Sequence, residues 1–430
     1  TADATVSGGT FAGGSATLDF NDDFTMSSGT FTISSGSNTF ALGFTISGGT
    51  LNEGTNTVTF DGSAATIDVN STETFYNLTF NPSAGVTKTV ANSDTLIVTN
   101  TLTLSEGLIS QTTIPAGGTI AARGNISQNS NFDGGTGKIV IDGTGNQTFT
   151  GGGSTSAGTL PDIEINKASG TLTLSSIIRT TNDWTFTSVG TGSLDATTND
   201  STVVFAGTLT ITGSHTLDNV TFNGGAAVYT VANSNTLTVA GTLTLTDGSV
   251  NQTTIPSAGT IELQIGNVAG NISHATTFDG GTGTLSIVRA SGATDARTLT
   301  TLAAAPIMGI DLNATSVTVN GPGSGTLTLE GTTNSLKVQA GTFAGGAGAL
   351  TLNLAYDQSG GTFTGGAGTV TVTGNFSQSG GTFNGGTTTT LNGNTTISAG
   401  TFNAGTTTTF GNASGDTFTL SGTGTLNGGG

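Results

Sequence analysis

Few residues of this 430-residue chain are of the types that catalyse reactions or bind metals. There is no cysteine, so disulfides, thiol nucleophiles and thiolate metal sites are excluded. The two histidines, His215 and His274, fall at non-equivalent positions of the repeats, and His215 follows a Gly-Ser pair typical of a turn. We therefore expect both histidines to be surface residues at turns, with no catalytic or metal-binding role.

The densest group of carboxylates is formed by Asp19, Asp22 and Asp23. Parallel β-helix enzymes that act on polysaccharides use clustered carboxylates for general acid–base chemistry, together with Lys or Arg. The first basic residue of the chain is Lys88, so this group has no basic partner nearby in the sequence. We interpret the three residues as solvated turn residues. The alternative is a calcium site, because carboxylates and carbonyls at a turn can hold that ion.

Two glycine runs, at 134–137 and 345–348, resemble the Gly-Gly-x-Gly start of calcium-binding β-roll repeats. The aspartate that such a repeat needs two residues later is missing: Lys138 and Ala349 follow the two runs, and Ile139 and Leu350 occupy the next positions. No Gly-Lys-Ser/Thr follows either run, so neither is a phosphate loop. The sequence therefore predicts no cofactor and no metal.

Charge limits the partners of the chain. The net charge is −18, from 26 acidic and 8 basic residues, and residues 1–87 and 338–430 contain neither Lys nor Arg. Binding to nucleic acid requires a basic surface, and an anionic membrane would repel this chain. No apolar run approaches the roughly 20 residues needed to span a bilayer. The sequence therefore predicts no nucleic-acid partner and no membrane span.

A Gly-Thr-Phe step recurs at a regular interval near both ends of the chain. A fixed period of about 20 residues is typical of a chain wound in coils, and alternating runs such as Thr369–Val372 indicate strands with Thr on one face. We predict an all-β, right-handed parallel β-solenoid with coils of about 20 residues and little or no helix. The steps begin at Gly9, Gly29, Gly341, Gly361, Gly381 and Gly400, and Gly49 begins the variant Gly-Thr-Leu.

The period also predicts which side chains contact one another. Phe11 should lie over Phe31, and Phe31 over Leu51, at a spacing of about 4.8 Å, with Phe inside and Thr outside. A hairpin meander or sandwich is the alternative, although neither explains why the Gly-Thr-Phe step recurs at so regular an interval. At this period, the whole chain would form about 21 coils.

A longer repeat lies in the middle of the chain. The segment 89–96 returns at 230–237 and the segment 132–137 at 278–283, which indicates a tandem duplication with a small insertion near 266–269. We predict one continuous solenoid with four parts. These are N-terminal regular coils (1–54), module 1 (55–199), module 2 (200–337) and C-terminal regular coils (338–430).

The Gly-Thr-Phe coils and the Thr-Leu-Thr-Leu runs, such as Thr171–Leu174, resemble the Gly/Thr/Asn-rich repeats of bacterial surface β-solenoids. That class includes autotransporter passengers, filamentous-haemagglutinin-like adhesins and extracellular filament subunits. The resemblance implies a secreted protein located outside the cell or at the cell surface, with itself or cell-surface glycans as partner.

The ends of the chain suggest the sharpest functional hypothesis. Isolated solenoids need caps, yet the terminal coils look like interior ones, so two ends could stack head to tail into a homopolymer. We expect a structural protein and not an enzyme. An adhesin stalk or passenger fragment that binds glycans or cells is the alternative, and a polysaccharide-acting enzyme or an ice-binding protein is a minor one. The predicted interface comprises Thr10, Phe11, Phe402, Thr425 and Leu426.

Overall fold

The structure, a computed structural model, describes residues 3–111, 117–187, 190–252 and 259–428. These residues form strands, turns and bends, with no helix. Consequently, the described part of the chain has no helix of the length and apolarity that crossing a membrane requires.

The chain divides into two compact units, Thr1–Gly213 and Ser214–Gly430, here called unit 1 and unit 2. Each unit is a parallel β-solenoid, and the chain makes about 19 turns of about 22 residues each. This confirms the predicted all-β parallel β-solenoid. The right-handed winding, the four-part division and the duplication stay predictions.

Unit 1 contains 24 strands. They are β1 (Ala4–Ala12), β2 (Leu18–Phe20), β3 (Phe24–Thr32), β4 (Asn38–Phe40), β5 (Phe44–Ile46), β6 (Thr50–Asn52), β7 (Thr57–Phe60), β8 (Ala65–Val69), β9 (Thr72–Phe80), β10 (Thr87–Val90), β11 (Thr95–Leu104), β12 (Gly107–Gln111), β13 (Thr119–Ala122), β14 (Asn125–Gln128), β15 (Phe132–Gly134), β16 (Lys138–Ile141), β17 (Gln147–Thr150), β18 (Asp162–Ile165), β19 (Thr171–Ser175), β20 (Ile177–Thr180), β21 (Trp184–Phe186), β22 (Ser193–Asp195), β23 (Thr202–Phe205) and β24 (Leu209–Thr212).

Unit 2 contains the other 22 described strands. They are β25 (His215–Leu217), β26 (Asn219–Val231), β27 (Thr236–Val239), β28 (Thr242–Gln252), β29 (Thr260–Ile265), β30 (Asn271–His274), β31 (Thr284–Arg289), β32 (Arg297–Thr298), β33 (Pro306–Ile307), β34 (Gly309–Asn320), β35 (Thr326–Leu329), β36 (Asn334–Ala344), β37 (Ala349–Leu352), β38 (Ala355–Gln358), β39 (Thr362–Thr364), β40 (Thr369–Val372), β41 (Phe376–Asn384), β42 (Thr388–Leu391), β43 (Thr395–Asn403), β44 (Thr407–Phe410), β45 (Phe418–Leu420) and β46 (Thr425–Asn427).

The core lies inside each coil and follows directly from the two-residue period of a strand. In β7, Val58 and Phe60 are buried, whereas Thr57 and Thr59 are half-buried on the outer face. Trp184, the single tryptophan of the chain, is fully buried. Because the next coil repeats the same pattern, apolar side chains meet apolar side chains from rung to rung.

The regular coils stack as predicted. Phe11 pairs with Phe31, and Phe31 pairs with Leu51. In unit 2, the ring of Phe383 stacks on the rings of Phe363 and Phe402 at centroid distances of 4.6 and 4.8 Å. These stacks form continuous inward columns.

The glycine of each Gly-Thr-Phe step supplies a backbone conformation that other residues rarely adopt. Gly381 and Gly400 have φ of +68° and +83° at the corner before the strand. A Cβ atom on Gly400 would lie only 2.5 Å from the carbonyl oxygen of Gly381 in the coil below. The repeat therefore preserves a corner that only glycine fits at this spacing.

The middle coils are longer than the regular coils at the two ends. Thr101 lies over Asn77, and Thr119 lies over Thr95, so each of these coils holds several residues more than a Gly-Thr-Phe coil. The extra residues lie in the turns, which explains why the chain makes about 19 turns and fewer than the sequence period predicts.

Buried polar side chains bind the carbonyl groups of the corners. Gln358 Nε2 donates to Thr382 O at 3.0 Å, and Gln378 Nε2 donates to Thr401 O at 3.1 Å. In unit 1, the buried Lys167 Nζ donates to Gly145 O at 2.9 Å. Such bonds satisfy backbone groups that the turns withdraw from water.

Candidate self-assembly surfaces

Exposed apolar side chains concentrate on the first and last rungs. Five large apolar residues are exposed among those the structure describes. The exposed fractions are 38% for Phe11 in unit 1, and 42%, 46% and 37% for Phe418, Leu420 and Leu426 at the end of unit 2. The fifth residue, Val268, is 92% exposed in the turn where the sequence indicated a small insertion.

The N-edge, which we define as the outer edges of β1 and β2, has an open apolar cavity. Within the described residues, β1 pairs only with β3, and β2 pairs only with β4. The cavity of about 450 Å³ lies between these strands. Its apolar lining is formed by Ala4, Val6, Phe11, Phe20 and Phe24.

The C-edge comprises the outer edges of β45 and β46. Both strands pair with β43 on their inner side, and no other described strand pairs with them. Thr425 and Leu426, predicted as interface residues, are exposed, and so are Phe418 and Leu420. Phe402, also predicted there, is fully buried beneath Leu426 and offers no surface.

On the strands of the two edges, the one charged residue is Asp19 in β2 of the N-edge. The segments of β1, β45 and β46 contain no Asp, Glu, Lys or Arg. Thr10, like Thr425, is exposed on the outer face. Strand edges with so little charge have little of the like-charge repulsion that commonly protects sheets against association.

The structure corrects the expected position of both histidines. His215 lies in β25 and His274 in β30, and each is only 8% exposed. His274 Nε2 is 2.9 Å from the carbonyl oxygen of Pro306, and burial lowers the pKa of its imidazole. The Gly-Ser pair lies just before β25, and this strand begins at His215. The histidine side chain therefore points into the core.

The acidic group at the N-terminal end joins neighbouring coils. Asp19 Oδ1 accepts a hydrogen bond from Thr39 Oγ1 at 2.7 Å, and Asp23 Oδ1 accepts one from the Gly43 amide at 2.9 Å. Among the described residues, no group of three His, Cys, Asp or Glu side chains has a geometry suitable for a metal ion.

Comparison of the chain with protein-family models, with curated proteins and with solved structures finds no match. The assignment to a repeat β-helix architecture therefore rests on the coordinates and on the sequence period.

The coils also bring together charged residues that are distant in the sequence. Asp311, Lys337 and Asp357 occupy one outward column on three successive rungs of unit 2. Lys337 Nζ is 3.7 Å from Asp311 Oδ2, and Gln339 Nε2 donates to Asp311 Oδ1 at 2.8 Å. A groove of about 230 Å³ lies beside Asp311 and Lys337. Sequence reasoning missed this column, because its members are unequally spaced along the chain and align only once the coil lengths are known.

Proposed function

We propose that the chain is a structural, extracellular or cell-surface protein that assembles head to tail through the ends of its solenoid. One observation carries the proposal: four of the five exposed large apolar residues among those described lie on the first and last rungs. A surface of this kind is stabilised when it is covered, because burial of the apolar area that is still exposed contributes about 25 cal/mol per Å².

The geometry of a parallel solenoid favours growth without limit. The N-edge and the C-edge are different surfaces, so their contact is heterologous and leaves a free edge at each end of the product. Every added copy would extend the same ladder of backbone hydrogen bonds that joins the interior coils. Continued addition of this type yields a filament.

Composition supports the proposed location. The chain has no cysteine, only 8% charged residues and 70 glycines, a composition typical of the bacterial surface repeats that its coils resemble. Secretion and surface display are part of the proposal.

Sedimentation velocity over a concentration series tests the proposal. We expect monomers below a critical concentration, and a continuous distribution of large species above it, because open-ended growth has no preferred size. A single species at every concentration, whether monomer or dimer, would overturn the proposed function.

A second candidate is an adhesin that binds glycans, and the outward column of Asp311, Lys337 and Asp357 favours it. Carboxylate, amide and ammonium groups around a shallow groove offer donors and acceptors to sugar hydroxyl groups. Binding of the purified chain to a glycan array, lost in the Lys337→Gln variant and kept in Lys138→Gln, would support this candidate. Equal signals for both variants would remove it.

A further inference from the structure

We propose that the head-to-tail joint has one register, in which Phe418, Leu420 and Leu426 of one copy lie over Ala4, Val6 and Phe11 of the next. The inference rests on the proposed function and specifies its interface: β45 pairs with the first half of β1, and β46 pairs with the second half.

The alternation of inward and outward side chains determines this register. At the C-edge, Phe418 and Leu420 continue the buried inward positions Thr395 and Ile397 of the rung below. At the N-edge, Ala4 and Val6 occupy the positions that Phe24 and Met26 fill one rung further in, where both are buried. A slip of one residue would turn every inward side chain outward, so only even shifts are compatible with burial.

The second inward column continues in the same register. At the C-edge, Leu426 lies over Phe402, and at the N-edge Phe11 lies over Phe31. Both terminal members are partly exposed and both inner members are fully buried. Placing Leu426 against Phe11 would therefore bury the two exposed side chains against each other in one column.

Size complementarity selects among the even shifts. Ala4 is the small member of a column that continues with Phe24 and Phe44, and the open cavity of the N-edge lies beside it. At the C-edge, the ring of Phe418 lies over the smaller side chain of Thr395 and projects from the last described rung. In the joint, the ring of Phe418 would project towards Ala4. It would fill the space that the small side chain of Ala4 leaves open.

The outward positions match as well. Thr425 would lie against Thr10, and Thr419 against Thr5, which continues the threonine columns found inside both units. Within unit 2, for example, Thr401 pairs with both Thr382 and Thr425.

Besides the two strand segments already described, each terminal region has a strand on a third face of the coil, β2 in unit 1 and β44 in unit 2. This third face makes the joint weaker than an interior rung. The chain visits the faces in the same order at both ends, and the coil of β45 and β46 has no described strand on that third face. In the proposed register, β44 and β2 therefore face each other across the space of one strand, about two strand spacings apart. We expect filaments to dissociate on dilution while the units stay folded.

Like charges lie at one corner of the joint. Asp3 precedes Ala4 directly, and Asp416 lies two residues before Phe418. In the proposed register Asp3 lies opposite Thr417, one residue from Asp416 of the other copy, so salt strengthens assembly by screening the two nearby carboxylates. Asp3→Asn should lower the critical concentration at low salt and reduce the salt dependence, whereas the matched control Asp295→Asn should change neither. Equal effects of the two variants would contradict this part of the register.

Engineered cysteines test the register directly, because the chain has no cysteine of its own. Thr5→Cys and Thr419→Cys would lie on adjacent strands with Cα atoms about 5 Å apart, within the range that a disulfide needs. A mixture of the two single variants should give disulfide-linked dimers on mild oxidation, and the double variant should give a covalent ladder. Thr5→Cys alone should give no linked dimer.

Ser421→Cys provides the matched control, since it is displaced from position 419 by two residues on the same outer face. Its Cα would lie about 8 Å from that of residue 5, too far for a disulfide. Equal or faster linkage of the Thr5 and Ser421 pair would overturn the register, although filaments would still support the proposed function. Linkage of Thr5→Cys with itself would mean head-to-head contact and would overturn the register too. Absence of filaments would overturn both.

A swap of large and small residues tests the role of Phe418. Phe418→Ala should raise the critical concentration about 100-fold, and Ala4→Phe should also raise it by overfilling the joint. The double variant Ala4→Phe with Phe418→Ala should have a critical concentration at least about tenfold lower than that of Phe418→Ala, because one ring again fills one space. Additive losses in the double variant would contradict the contact.

Discussion

Leu426 lies directly over Phe402 in one inward column, yet Phe402 is fully buried and Leu426 is 37% exposed. The same column continues through Phe383, Phe363 and Phe343. Leu426 therefore has the inward orientation of a core residue, but it is partly exposed because it lies on the last described rung. This contrast makes it a suitable site for separating assembly from folding.

Leu426→Lys should abolish self-assembly and change the stability of the monomer little. Its ammonium group can reach water at a free edge, whereas in the joint it would be buried without a partner. Val268→Lys is the matched control, since Val268 is exposed and lies away from both edges. Sedimentation velocity measures assembly and thermal unfolding measures stability. Filaments formed by Leu426→Lys at the wild-type concentration would contradict the interface.

Charges on the outer face should control the joint according to their sign. The double variant Thr10→Lys with Thr425→Lys places like charges about 5 Å apart on adjacent strands, which weakens assembly. Thr10→Lys with Thr425→Glu places opposite charges there and should restore assembly at low salt. The difference between the two double variants should shrink as salt rises from about 0.01 to 1 M, roughly a tenfold fall in Debye length. Identical light scattering from both would mean that the two positions do not meet.

Loss of an aromatic ring should cost far more stability inside a column than at its end. Phe383 is fully buried between two stacked rings, so Phe383→Ala should lower the free energy of unfolding by about 3–5 kcal/mol. Phe11→Ala removes a partly exposed ring that stacks on one neighbour, Phe31 at 5.1 Å, and should cost about 1 kcal/mol. Urea unfolding of monomers below the critical concentration compares the two. Equal losses would show that the ends are as well covered as the interior.

The buried Lys88 should make unit 1 more stable at alkaline pH. Its side chain is fully buried and Nζ donates to Ala41 O at 2.8 Å. Burial lowers the pKa of Lys88 from 10.5 to about 8, although Asp61 opposes the shift. The folded chain therefore releases this proton before the unfolded chain does. Stability from this group is constant below pH 8, rises between pH 8 and 10.5, and gains up to about 3 kcal/mol.

Lys88→Met separates this effect from other titrations. The variant replaces a buried ammonium with an apolar side chain of similar length, so it removes the titrating group together with its hydrogen bond to Ala41 O. Its unfolding free energy should lack the rise between pH 8 and 10.5 that the wild type shows. A rise of equal size in the variant would assign the effect to other groups.

The regular coils could be predicted from the sequence because their period is strict. The pairing of Phe11 with Phe31 and Leu51 follows from the regular return of the Gly-Thr-Phe step alone. The pairing between the middle coils could not be predicted in this way. Their turns vary in length, and the alternating pattern of a strand does not show how many residues the next turn contains. The charged column at Asp311 and Lys337 was missed for that reason.

The sequence predicted only in part which residues lie at the two edges. Thr10, Phe11, Thr425 and Leu426 lie at the edges, where the Gly-Thr-Phe pattern placed them. Phe418 and Leu420 were missed, because the coil before them is longer and Phe418 does not follow a Gly-Thr step. Phe402 is buried because one further rung covers it.

Electron microscopy of the purified chain tests the central claim most directly. We expect unbranched filaments of constant width above a critical concentration, with a repeat of about 4.8 Å along the axis from the stacked strands. Loss of these filaments in Leu426→Lys, but not in Val268→Lys, would place the joint at the C-edge. Discrete single particles at every concentration of the unmodified chain would contradict the claim.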